Sequence, residues 1–169
     1  MNLYSKTTEE DAVEKIGSDS FKIDTARYQL SDNVRAFGIR FQTSERGPSC
    51  ADYLFENRQT LYIPEKNTLR PVLDLYMHTA QALNGCIGSS TNNNIIEDSD
   101  SSILIEKNKS NNFYNLKVIS YIEPFAEMDN PPSDINIKPR TESYQFKYNG
   151  KQYMGGDKKT PWWIYTLNE

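Results

Sequence analysis

The sequence predicts an α+β domain, rich in β-strand, built as an antiparallel barrel or sandwich with one main helix at about 70–84 and a short N-terminal helix. Three observations carry this. Apolar and polar residues alternate at several places, as half-buried strands require. Aromatic residues make up 12% of the chain, with eleven tyrosines, and such residues favour sheets. A single stretch near the middle has apolar residues spaced by three and four, the helical period.

Thr8 to Asp11 fits a capping box, with acids in the first turn, where the helix dipole favours them. Ala12, Val13 and Ile16 then give a small apolar face and Gly17 a stop, so residues 1–17 read as a helical appendage on a single domain spanning 1–169. Residues 20–30 and 34–42 read as strands joined by the turn residues Ser31, Asp32 and Asn33. In the second, Phe37, Ile39 and Phe41 share one face, and Gly38, Arg40 and Gln42 the other. Residues 43–58 form an irregular connection, and 59–63 a short strand ended by Pro64.

The helix over 70–84 starts with Pro71 in a first turn, where proline is tolerated. It presents Val72, Leu73, Tyr76, Ala80 and Leu83 on a stripe, and it stops at Asn84 and Gly85. Residues 89–100 are polar and read as an exposed loop. Strands follow at 102–107 and 113–125, with a turn at 108–112. Asn149-Gly150 is a strong hairpin signal between strands at 144–148 and 151–154, and 162–167 closes the domain. One helix between a third and a fourth strand is the layout of an OB-like barrel.

Composition narrows the function. No stretch is long and apolar enough to span a membrane. The opening residues lack the basic and apolar regions of a signal peptide, so a cytoplasmic protein with reduced Cys50 and Cys86 is expected. In that setting the sequon at Asn108 carries no meaning. The net charge of −4 disfavours nucleic-acid binding by the surface as a whole.

Catalytic signals are sparse. His78, the one histidine, lies four residues after Asp74, which on a helix would let an acid orient a base toward Cys50 or Cys86. An ordinary surface histidine beside an acid explains the same spacing. Asp74 and His78 supply two metal ligands at most, with nothing to complete a set. Glu123 and Glu127 read as an exposed acidic loop in preference to a carboxylate pair. The glycines of 85–90 follow a helix, whereas a phosphate cradle precedes one, and 155–160 lacks the rest of such a loop. No catalytic residue, metal or cofactor is therefore assigned, and a non-enzymatic binding protein is expected.

The segment 138–165 stands apart. Up to position 160 it carries six lysines and arginines against two acids, interleaved with tyrosine, phenylalanine and tryptophan. Basic groups follow a phosphate backbone while aromatic faces stack bases. The expected partner is single-stranded nucleic acid, held by Arg35, Arg40, Lys147, Tyr148, Lys151, Tyr153, Lys158, Lys159 and Trp162. A core strand with solvated lysines fits the same pattern. The alternative is a protein-binding inhibitor, immunity or accessory protein, of the kind found in phages and viruses, acting through a tyrosine-rich acidic surface.

Overall fold

The computed structural model describes residues 18–42, 50–87, 94–126, 138–155 and 159–165. These residues form eight strands: β1 (Phe21–Gln29), β2 (Arg35–Phe41), β3 (Tyr53–Glu65), β4 (Thr68–Asn84), β5 (Ile95–Ser110), β6 (Phe113–Ala126), β7 (Arg140–Tyr148) and β8 (Tyr153–Gly155). They make one antiparallel sheet in strict chain order, β1 to β8.

The sheet opens in its middle. Only the rear of β4, His78 to Asn84, pairs with the front of β5, Ile95 to Asp100. The front of β4 stays with β3, and the rear of β5 stays with β6. Where β5 has left β4, the C-terminal segment takes its place. The Tyr76 amide donates to the Tyr165 carbonyl at 3.4 Å. Two layers result, and the core lies between them: Leu30, Ala36, Leu61, Val72 and Leu75 from one side, Leu116, Val118, Phe146 and Tyr148 from the other, with Trp163 enclosed.

Polar contacts fasten the layers. The Tyr114 amide donates to the Leu30 carbonyl at 2.7 Å, and Lys109 pairs with Asp32 at 2.9 Å. Arg70 reaches from β4 to the Tyr148 hydroxyl at 3.1 Å and to the Lys151 carbonyl. Gly38 is required by a close approach, since a Cβ there would stand 2.9 Å from that of Asp24. The turns follow their residues. Asn111 and Asn112 have φ of 48° and 67°, the left-handed values of a tight hairpin turn, and Gly150 has φ of 101°.

Three expectations are corrected. The stretch 70–84 is β4, and no helix occurs among the described residues. Val72, Leu73, Asp74 and Leu75 are buried in succession, so β4 is covered on both faces and its apolar run imitates a helical stripe. Pro71 lies opposite Tyr62 where the register slips, a place where a missing N–H is tolerated. The sheet is open, with β1 and β8 at its ends, so it is not the closed, helix-bearing OB-like barrel. Finally, Trp162 and Trp163 form a turn where a closing strand was expected, with the Ile164 amide donating to the Pro161 carbonyl at 3.0 Å. The expected N-terminal helix lies outside the described residues.

Candidate functional site

The aromatic residues of β7 and Tyr153 of β8 face inward. β7 alternates cleanly: Tyr144, Phe146 and Tyr148 are buried, and Lys147 is exposed between them. Tyr148 is 4% exposed and stacks on Phe113 with ring centroids 4.1 Å apart. Tyr153 is 2% exposed and donates its hydroxyl to the Tyr114 carbonyl at 2.7 Å. Burial pushes the Tyr153 phenol well above its ordinary range. Neither ring leaves a face on which a base could stack.

Of the remaining expected residues, Lys151 and Lys159 are exposed, Trp162 is half-buried against the core, and Lys158 lies outside the described residues. Arg40 is held by Asp24 at 2.9 Å. Arg35 is exposed beside core-facing Ala36, and Lys147 beside core-facing Phe146. They therefore point outward from opposite layers, and the structure does not gather the predicted cations onto one face.

The catalytic expectation also changes. Cys50 and Cys86 form a disulfide, with Cα atoms 4.9 Å apart, so the expectation of reduced thiols is corrected. The start of β3 and the end of β4 bring them together, beside the bridge of Ala51 with Ile87. Asp74 binds Arg58 at 2.5 Å and Thr60 at 3.2 Å, and so is not the partner of His78. His78 Nδ1 lies 3.0 Å from Asp100 instead.

That contact belongs to a larger arrangement. Glu56 of β3 stands directly opposite His78 of β4, which stands opposite Asp100 of β5, which stands opposite Tyr121 of β6. Directly opposed residues of an antiparallel sheet share a face. The next row on that face is Ala80, Asp98 and Glu123. Four carboxylates and one imidazole thus share this face, with Tyr121 48% exposed at the side. The Asp98 carboxyl is raised above its ordinary value, chiefly by burial. His78 opposes this, and Asp100, Glu123 and Glu56 add to it.

The opposite face of the same strands carries a satisfied network. Glu97 is buried and accepts from the Arg140 guanidinium, which also binds Glu142 at 2.6 Å. Trp163 donates its indole N–H to Glu142 at 3.0 Å. Arg140 and then Trp163 hold the Glu142 carboxyl below its ordinary value. This is structural cross-bracing between β5, β7 and the C-terminal turn.

The sequence reading missed the acidic face, because treating 70–84 as a helix removes the strand that joins its rows. The available signals were the spacings Asp98-x-Asp100 and Tyr121-x-Glu123, which on strands put each pair on one face. Glu123 belongs to this face, and its earlier candidate partner, Glu127, lies outside the described residues. No family model, curated protein or solved structure matches the chain.

Proposed function

We propose that this chain is a non-enzymatic binding protein that docks a basic segment of a protein partner on the face bearing Glu56, His78, Asp98, Asp100, Tyr121 and Glu123. The single observation that carries the reading is the pair of cross-strand rows, which gathers four carboxylates on one face of the sheet. Like charges gathered in this way repel, and a cationic partner relieves the repulsion. Tyr121 supplies an exposed aromatic anchor at the side of the rows, a residue type enriched at binding hot spots. The Cys50–Cys86 disulfide supports action in an oxidising compartment in place of the cytosol.

The test is a fluorescence-anisotropy titration with a labelled lysine-rich peptide at low and at moderate salt. Saturable binding, weakened by salt and by D98N/D100N/E123Q, is the expected result. No binding at low salt, or unchanged affinity in the variant, would overturn the proposal. Single-stranded nucleic acid is the competing partner, on the strength of exposed Lys147, Lys151 and Lys159. Oligonucleotide binding lost on replacing those three lysines would put that reading in its place.

A further inference from the structure

The two ends of the open sheet differ. β8 is only three residues long and offers little to a further strand. β1 has nine residues, and among the described residues nothing pairs with its outer side. Its inner side pairs with β2, with Phe21 opposite Phe41, Lys22 opposite Arg40 and Ile23 opposite Ile39. The Gln42 amide donates to the Ser20 carbonyl at 2.8 Å, so Ser20 and Gln42 form a hydrogen-bonded pair. Such pairs alternate along an antiparallel ladder, so Lys22 and Asp24 direct their backbone groups to β2. The N–H and C=O of Phe21 and Ile23 therefore point outward from the sheet.

The same two residues carry unburied apolar side chains. Phe21 is 57% exposed and Ile23 74%. They continue an apolar surface through Phe41, whose ring centroid is 4.7 Å from that of Phe21, and through Ile39. An open backbone ladder flanked by exposed apolar side chains is a template for strand addition.

We propose that β1 pairs antiparallel with β1 of a second copy, about a two-fold axis at Ile23. Charge selects both the occupant and the register. Centring the pair on Ile23 sets Lys22 of each copy opposite Asp24 of the other and stacks the two Ile23 side chains. A shift toward Lys22 sets lysine against lysine, and a shift toward Asp24 sets aspartate against aspartate. Like charges directly opposed in a sheet are unfavourable. Within one copy, Lys22 faces Arg40, which Asp24 of the same copy already holds at 2.9 Å, so the pairing adds the second copy's Lys22 beside that Asp24–Arg40 ion pair. The register break between Asp24 and Tyr28 limits the ladder to the front of β1. The two-fold uses each edge once and so closes at two copies.

Sedimentation velocity of the full chain over a concentration series tests this. The expected result is a reversible monomer–dimer equilibrium. Lys22→Glu, which sets two acids in opposition, and Ile23→Lys, which sets two lysines in opposition, should each weaken the dimer by about ten-fold or more, equivalent to about 1.4 kcal/mol. Both sites are exposed, and an unchanged circular dichroism spectrum checks that each variant is folded. Lys151→Glu, in the turn before β8, should leave the dimer intact. A monomer at every concentration, an assembly larger than two, or a dimer indifferent to both β1 variants would overturn the proposal. The acidic face takes no part in this pairing, so the outcome is independent of the function proposed above.

Discussion

At one end of the sheet β7 turns Tyr144, Phe146 and Tyr148 inward and Lys147 outward. At the other end β1 turns Phe21 and Ile23 outward and only Tyr28 fully inward. Both strands draw on similar residues. What differs is what lies beneath them. The buried side chains of β7 join Leu116 and Val118 of the neighbouring β6 and the enclosed Trp163 in the core, whereas the front of β1 covers a polar group, Asp24 with Tyr28, Gln59 and Arg40. An aromatic residue near a lysine thus marks a core strand at one end and an exposed apolar edge at the other. Composition does not separate the two, and the fold does.

Substitutions sharpen this contrast. The largest effect is expected at Phe146, which is fully buried: Phe146→Ala should cost about 3–5 kcal/mol, read from urea unfolding. Breaking the Cys50–Cys86 disulfide should come next. Replacing both cysteines with serine should lower stability by about 2–4 kcal/mol, because the cross-link closes a long loop in the unfolded chain. Reductant should destabilise the natural protein similarly and leave the serine variant unaffected. Arg140→Met leaves buried Glu97 without its cation and should cost about 2 kcal/mol, part of the interaction being screened where Arg140 meets solvent.

The acidic face gives a smaller effect, with a sign fixed by linkage. The folded Asp98 carboxyl is raised, so its ionised form disfavours folding above that raised value, and the penalty fades as pH falls through it. Asp98→Asn should therefore raise the melting temperature at neutral pH, and the gain should vanish in acid, where the natural carboxyl is also neutral. Asp24 behaves oppositely. Burial raises its carboxyl, but the Ala26 amide, the Tyr28 hydroxyl and Arg40 outweigh this and hold it below its ordinary value. The stability it contributes is present above the ordinary aspartate range and is lost as pH falls through the depressed value. The smallest effect is expected at Ile23: Ile23→Ala should change the monomer's stability by about 0.5 kcal/mol or less.

Much of the strand content was legible. The strands at 20–30, 34–42, 113–125 and 144–148 correspond to β1, β2, β6 and β7, because each alternates or is bounded by turn residues. Alternation finds a strand without saying which face is buried. At 36–41 the core receives Ala36 and Gly38, while Phe37, Ile39 and Phe41 lie half-buried on the other side. β4 was misread because a strand covered on both faces has no period of two, and its run of apolar residues fits a helix equally well. The start of β5 was hidden by Asp98 and Asp100, polar residues that belong to an outward face. With β4 and β5 unread, the register uniting Glu56, His78 and Asp100 was out of reach.

Tyr144, Phe146, Tyr148, Tyr153 and Trp163 are core, and the proposed binding surface lies elsewhere. Hydroxyl-radical footprinting with residue-level detection tests this most directly. The structure predicts fast labelling of Phe21, Tyr53, Tyr121 and Tyr165, and protection of Tyr144, Tyr148, Tyr153 and Trp163. Labelling of Tyr148 and Tyr153 as fast as that of Tyr121 would contradict their burial and return the C-terminal segment to the front as a stacking surface.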